Sequence, residues 1–316
     1  MKHAMKKIAG WFSPRAPGCV GITVDAAYLR LARVLWDGVG RPRLLALAEQ
    51  EHGGDPAGAL RKLGKEAGLK RSCCVALLVP GEYQTFQVDA PSVPPAELNT
   101  ALRWKIKDNL GFPLDQAVVE ALLLPQGSGL STRAPQALVV AAEQATVERR
   151  VAPFVEAGIP LAAVDIPELA QRNLSALCED ENRGLAFLHL GESGGLLTLS
   201  FKGELFASRR IEAGGALWQG ADGDQRQAAL ERIGLELQRS LDHFDRQFSF
   251  ISISRLVLAG DADLAPLAQY LGQALYLPAE LPDWARILEL PDDMAALPGT
   301  ALPAIGAALR LAEEGA

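Results

Sequence analysis

The chain lacks any uninterrupted apolar run of the roughly 18 to 20 residues needed to cross a bilayer. Proline and charged residues break every candidate, including AALPGTALPAIGAALRLA near the end. No secretory leader is expected, because the apolar stretch Ile8 to Phe12 that follows Lys2, Lys6 and Lys7 is far too short. A soluble chain is the expectation, with the basic residues beside Trp11 and Phe12 read as a frayed tail that can touch anionic headgroups. Positive charge is in deficit: 31 Lys and Arg against 38 Asp and Glu give a net charge of -7. There is no long-range attraction for phosphate backbones and no basic stripe wide enough for a duplex, so nucleic acid is not an expected partner. Cysteine and histidine are scarce, at four each, and neither has metal-ligand spacing. Cys19, Cys73, Cys74 and Cys178 read as reduced, buried thiols, since the adjacent pair is poorly placed to bridge to itself. His3, His52, His189 and His243 are scattered, so no metal is expected.

Two motif matches fail on context. Gly191-Glu192-Ser193-Gly194-Gly195 has the G-x-S-x-G form, with His243 downstream between Asp242 and Asp245. A nucleophile elbow needs a strand followed by a helix, whereas LLTLSF continues as strand, which makes Ser193 a hairpin-turn residue. The segment GSGLST at 127–132 has no lysine and opens no helix, so it is a hairpin tip rather than a phosphate loop.

With 49% hydrophobic and 22% charged residues, the 316-residue chain can bury one large core or two medium ones. Its organising feature is a repeat. GCVGITVDAAYLRLARVLWDG (18–38) alternates apolar and polar positions through two strands and turns, and the pattern returns in GLAFLHLGESGGLLTLSFKGEL (184–205). After the first meander, DPAGALRKLGKEAGL (55–69) reads as a helix and CCVALLVP as a buried strand, completing a βββαβ unit. A smaller α/β block follows. It comprises a strand at YQTFQVDAP, a helix over 96–110 with Leu98, Leu102, Ile106 and Leu110 on one face, the strands AVVEALLLP and QALVVAAE, a helix over 145–157, and the strand PLAAVDIP. Asp165-Ile166-Pro167-Glu168 has the form of a capping box, predicting a helix through IPELAQRNLSALCEDE and a hinge near 180. After the second meander, Asp224 and Gln227 are candidate caps for a long helix with Leu230, Ile233, Leu237, Leu241, Phe244 and Phe248 on its inner stripe. The strand SRLVLAG, a helix at DLAPLAQYLGQAL and a final helix at ALPAIGAALRLAEE complete the chain.

The opening meander, the segments LLVPGEYQTFQVDAPSVPPAELNTALRWKIKDNLGFPLDQAVVEALLLP and VVAAEQATVERRVAPFVEAGIPLAAVDIPELAQRNL, and LELQRSLDHFDRQFSF followed by RLVLAGDADLAPLAQYL together resemble the MshI group of MSHA-type pilus biogenesis proteins, relatives of PilM. The resemblance implies an α/β, two-lobed actin-like ATPase fold (a duplicated RNase H-like unit) with a small α/β subdomain inserted in lobe one. The implied boundaries are a tail at 1–17, lobe one at 18–180 with the insert at about 83–160, lobe two at 181–300, and a C-terminal helix at 301–316 returning to lobe one. It further implies a cytoplasmic scaffold at the inner face of the bacterial inner membrane, peripheral to it. Such a scaffold binds the cytoplasmic tail of a PilN-like inner-membrane protein, and other pilus assembly components, in a groove by the insert.

ATP-binding relatives cradle phosphate with each meander's first hairpin and place an aspartate in each. Here the matching positions are Thr23, with Asp25 in the turn, and His189, before Gly191; the adenosine segment carries Gly260 and Asp261. A degenerate site, no catalysis and no cofactor are therefore expected, with a nucleotide-switched member of the same fold and a GspL-like cytoplasmic component of type II secretion as the alternatives. Arg103, Trp104, Lys105 and Lys107, with Phe112 and Pro113, are the partner-binding candidates, although an off-stripe tryptophan of this kind can equally pack on the neighbouring strand.

Overall fold

The computed structural model describes residues 18–125, 135–191, 194–212, 223–292, 294 and 296–310. The expected tail over 1–17, the hairpin tip at 127–132 and Ser193 lie outside the described residues.

The two meanders build two sheets of the same plan. In the first, β1 (Cys19–Val24), β2 (Tyr28–Leu35) and β3 (Arg43–Glu51) run antiparallel; α1 (Pro56–Ala67) then crosses to β4 (Cys73–Leu77), parallel to β1. With β8 (Ala163–Asp165) beside β4, the sheet order is β3-β2-β1-β4-β8. In the second, β9 (Gly184–Gly191), β10 (Gly194–Phe201) and β11 (Glu204–Ile211) are antiparallel, α5 (Gly223–Gln247) crosses to β12 (Ile253–Gly260), and α6 (Ala265–Ala274) leads to β13 (Ala279–Glu280) and the single-turn helix α7 (Trp284–Ile287). The order β11-β10-β9-β12-β13 repeats the first. Alternation decides the faces. Val20, Ile22 and Val24 of β1 are buried with Leu60 and Leu63 of α1, and the opposite face presents Gly21 to the helix α8 (Leu302–Ala308). A Cβ on Gly21 would come within 1.9 Å of the Ala304 carbonyl, so only glycine permits this approach. Gly306 meets α4 (Pro167–Ala176) in the same way, at 2.2 Å from the Ala170 carbonyl. Through Ala304, Ile305 and Ala308, α8 shares one apolar cluster with Ala32 and Val34 of the first sheet and Leu185, Phe187 and Val257 of the second.

The insert is a three-stranded sheet of order β5-β7-β6, formed by β5 (Gln84–Asp89), β6 (Ala117–Leu123) and β7 (Gln136–Glu143). Ala137, Val139 and Ala141 of β7 pack against Leu98, Leu102 and Ile106, the predicted stripe, of which the first two belong to α2 (Pro95–Lys105). The alternate residues face away from α2: Leu138 enters the core of the second lobe, while Val140 and Ala142 pack with Leu78 and Ile166. The helix α3 (Gln144–Ala157) returns the chain to β8.

Three local expectations are corrected. The capping box at α4 does not form. Pro167 opens the helix and has no N–H to cap, and both carboxylates have stronger partners. Asp165 accepts from the Ile166 amide at 2.8 Å and from Arg310 at 2.8 Å, and Glu168 turns inward to Tyr83 and Arg210. The helix also stops at Ala176 instead of continuing to 181, closing in turns from Leu177 and Cys178. The cysteines likewise depart from the uniformly buried reading: Cys74 and Cys178 are buried, Cys19 is half-buried and Cys73 is exposed.

Candidate functional site

The residues predicted for the degenerate phosphate cradle occupy the ends of β1, β9 and β12, and their own chain engages them. Asp25 Oδ1 accepts from the amides of Ala27 at 2.8 Å and Tyr28 at 2.7 Å, and its other oxygen pairs with Arg30. Partial burial opposes the charge, but those amides and the guanidinium outweigh it and hold the carboxyl below the usual aspartate range. Both oxygens are thereby committed to closing the turn, and Thr23 lies in register with Arg30 on the adjoining strand.

In the second lobe, a short turn at 299–301 lies across the strand ends. His189 Nε2 is 3.1 Å from the Gly299 carbonyl, which can only accept, so this nitrogen carries the proton. Asp261 Oδ1 accepts from the Gly299 amide at 2.6 Å. Burial lowers the affinity of His189 for a second proton, a trend only partly offset by the Gly299 carbonyl and by Asp261. A Cβ on Gly299 would sit 2.4 Å from the Gly260 carbonyl carbon, so the turn rests directly on backbone. What remains between Pro167, Gln171, Leu174 and Phe187 on one side and Leu302 and Pro303 on the other is about 20 Å³, space for a single water. Gly191 ends β9 beyond this contact and pairs with Gly194.

A much larger cavity lies elsewhere. A cleft of about 850 Å³ opens between the insert and the first lobe. One wall is the face of the small sheet turned away from α2, including Val118, Glu120 and Leu122 of β6 with Val140 and Ala142 of β7. The other is β8 and α4, through Val164, Ile166, Leu169, Arg172 and Asn173; Trp36, Gly203 and Leu309 close one end. β6 and β8 are each the last strand of their sheet, and both line the cleft. Two arginines set its polar points: Arg310, paired with the buried Asp165, and Arg172, which donates to Asn173 Oδ1 at 2.9 Å from Nη2 and reaches Glu204 at 3.4 Å. Open strand edges with apolar flanking pockets fit an extended peptide, whose main chain supplies hydrogen bonds and whose alternate side chains fill pockets.

No protein-family profile matches the chain, and no curated protein matches it. Solved structures do. One, described as "PilM-PilN type IV pilus biogenesis complex", is 22% identical, superposes with a TM-score of 0.74, and is matched over 92% of this chain and 98% of that one. Another is the cytoplasmic domain of EpsL, an inner-membrane component of the type II secretion system of Vibrio cholerae; it is 14% identical, with a TM-score of 0.50 over 92% of this chain and 94% of that one. The fold is the two-lobed actin-like one.

Within this actin-like frame, the six predicted partner residues lie on the α2 side of the small sheet, and none lines the cleft. Trp104 is 63% exposed with Lys107 Nζ 5.7 Å from its ring centre; Arg103 donates to the Leu114 carbonyl, and Lys105 donates to the Asp89 carbonyl at 2.7 Å. Phe112 packs under α2, and Pro113 precedes a single turn at 114–116. The cleft residues escaped sequence reading because β6 (AVVEALL) and β7 (QALVVAAE) are apolar on both faces, so the pattern does not say which face is covered and which lines an open cleft. No described helix is long and apolar enough to cross a membrane, and no group of three or more acidic, cysteine or histidine side chains among the described residues is placed to hold a metal.

Proposed function

We propose that this chain is a non-catalytic scaffold of type IV pilus assembly, of the MSHA type, which holds the cytoplasmic tail of a PilN-like inner-membrane protein as an extended segment in the 850 Å³ cleft. The observation that carries the reading is the cleft itself, apolar and bordered by the outer strands of two sheets, in a chain whose fold matches that of the pilus complex protein over nearly its whole length. The engaged Asp25, the turn at 299–301 clasped by His189 and Asp261, and the 20 Å³ left beside them support a site without nucleotide turnover. On this reading the protein works at the inner face of the inner membrane and is peripheral to it.

The test is calorimetry between the purified protein and synthetic cytoplasmic tails of the inner-membrane proteins encoded beside it, with and without Mg-ATP. One tail should bind saturably and independently of nucleotide, and Val140→Arg, which projects a charged chain into the cleft, should abolish that binding while the far-ultraviolet spectrum is unchanged. Equal binding by Val140→Arg sinks the assignment of the cleft. A second reading, a nucleotide-switched protein, draws on a 320 Å³ cavity beside Gly260, lined by Leu258, Leu264, Leu281, Asp283 and Trp284. Tail binding that appears only with Mg-ATP favours it, and binding only to a secretion-system tail favours a GspL-like role.

A further inference from the structure

Cys19 and Cys73 are 54 positions apart in sequence and directly opposed in the parallel pairing of β1 with β4. Neighbouring strands lie about 4.8 Å apart, within the Cα separations that a disulfide spans. Both side chains emerge on the face that carries Gly21 and Val75, toward α4 and α8, and Cys19 Sγ is 2.6 Å from Cys73 Sγ and 3.2 Å from the Cys73 carbonyl. The other two thiols have no such opportunity: Cys74 points to the opposite face of the same sheet, among Leu60, Leu63 and Leu69, and Cys178 lies in the cluster between the two sheets. Cys73 is exposed, which gives a small reagent access to one member of the pair.

We infer that Cys19 and Cys73 form a redox-active dithiol that closes to an intramolecular disulfide on exposure to a small-molecule disulfide such as oxidised glutathione. The Cys73 thiolate attacks one sulfur of the reagent, the reagent's own S–S bond breaks, and one glutathione thiolate leaves and takes up a proton. Cys19, having lost its proton to solvent, then attacks Cys73 Sγ and displaces the second glutathione as thiol. Two protein thiols are oxidised and one glutathione disulfide is reduced to two glutathiones. Burial and the neighbouring Cys73 push the Cys19 thiol well above its ordinary range. The second step is therefore the slow one, and a mixed disulfide at Cys73 accumulates before the cross-link closes.

The bridge ties β1 to the strand whose continuation, Leu78, lines the cleft. It closes a loop of 54 residues in the unfolded chain.

The experiment exposes the full chain to graded ratios of reduced and oxidised glutathione, quenches with a thiol-alkylating reagent, and reads intact mass, peptide mapping and thermal midpoint. The expected result is two alkylated thiols in place of four, an intact mass lower by the two missing alkyl groups, a mapped Cys19–Cys73 bridge, and a midpoint raised by about 6 °C. Cys73→Ser, at an exposed position, should retain a folded protein and lose all four changes, whereas Cys178→Ser should still form the bridge and show the raised midpoint. Four free thiols at every ratio, a bridge that includes Cys74 or Cys178, or a disulfide-linked dimer through Cys73 would each overturn the inference.

Discussion

Glu168 is a buried carboxylate that joins three parts of the fold, and Glu168→Gln isolates its charge. Its side chain is 4% exposed and accepts from Tyr83 Oη at 2.6 Å and from Arg210 Nη2 at 3.0 Å, while Arg210 also donates to the Tyr83 oxygen at 2.6 Å. The three residues belong to different parts of the molecule: Tyr83 at the entrance to the insert, Glu168 on α4, and Arg210 on β11 of the second lobe. Breaking a fully buried ion pair by removing one partner costs about 3 to 5 kcal/mol. Arg210 is 42% exposed, so solvent takes over much of its charge, and about 1 to 2 kcal/mol of that cost survives. Replacing a charged acceptor by a neutral one weakens the tyrosine hydrogen bond by about a further 1 kcal/mol. The sum is about 2 to 3 kcal/mol. At about 2.1 cal/mol/K per residue over the 316 residues, this lowers the midpoint by about 3 to 5 °C if the chain unfolds as one unit. Calorimetric melting of wild type, Glu168→Gln, Arg210→Met and the double variant gives the coupling directly. If Glu168→Gln melts within half a degree of wild type, or the coupling to Arg210 is nil, the network does not join the lobes energetically.

Other consequences follow from single contacts. Burial and the nearby Glu168 carboxylate raise the Tyr83 phenol; the stability it confers is present below the unfolded tyrosine value near 10 and is lost as pH rises beyond it. Alkaline unfolding should therefore be less steep in Tyr83→Phe. His189 is depressed by burial, so its contribution is present above the unfolded histidine value near 6.5 and falls as the solution is acidified below it. His189→Gln should flatten the acid limb of denaturant midpoints measured between about pH 7 and 5, and an unchanged limb would remove His189 from the account. Gly306→Ala drives a Cβ to 2.2 Å from the Ala170 carbonyl and should cost about 3 kcal/mol or more by urea titration, whereas Gly111→Ala meets only the flexible Gln84 amide at 3.2 Å and should stay within about 0.5 kcal/mol. Trp104→Ala removes a solvent-facing ring whose partner is Lys107, and should change stability by less than about 1 kcal/mol while leaving tail binding intact.

The repeat was legible because a meander writes its period into the sequence. The alternation of Val20, Ile22 and Val24, and its return in the second lobe, predicts a duplicated architecture, and the two sheets do share one plan; Leu98 and Leu102 mark the buried face of α2 as directly, with Ile106 just beyond its end. Local rules failed where long-range partners outbid them. Asp165 and Glu168 have the spacing of a capping box, yet arginines 145 and 42 positions away claim both carboxylates. The plug at Gly299 carries no motif at all, since its role rests on two backbone groups meeting His189 and Asp261 across 110 and 38 positions. The cysteines follow the same logic. Spacing along the chain singles out the adjacent Cys73 and Cys74, but β-pleating sends those two to opposite faces, while the parallel register of β1 and β4 brings the distant Cys19 against Cys73. In a duplicated α/β fold, chemistry between strands is set by crossover topology, so a functional pair is found by asking which residues share a register and a face.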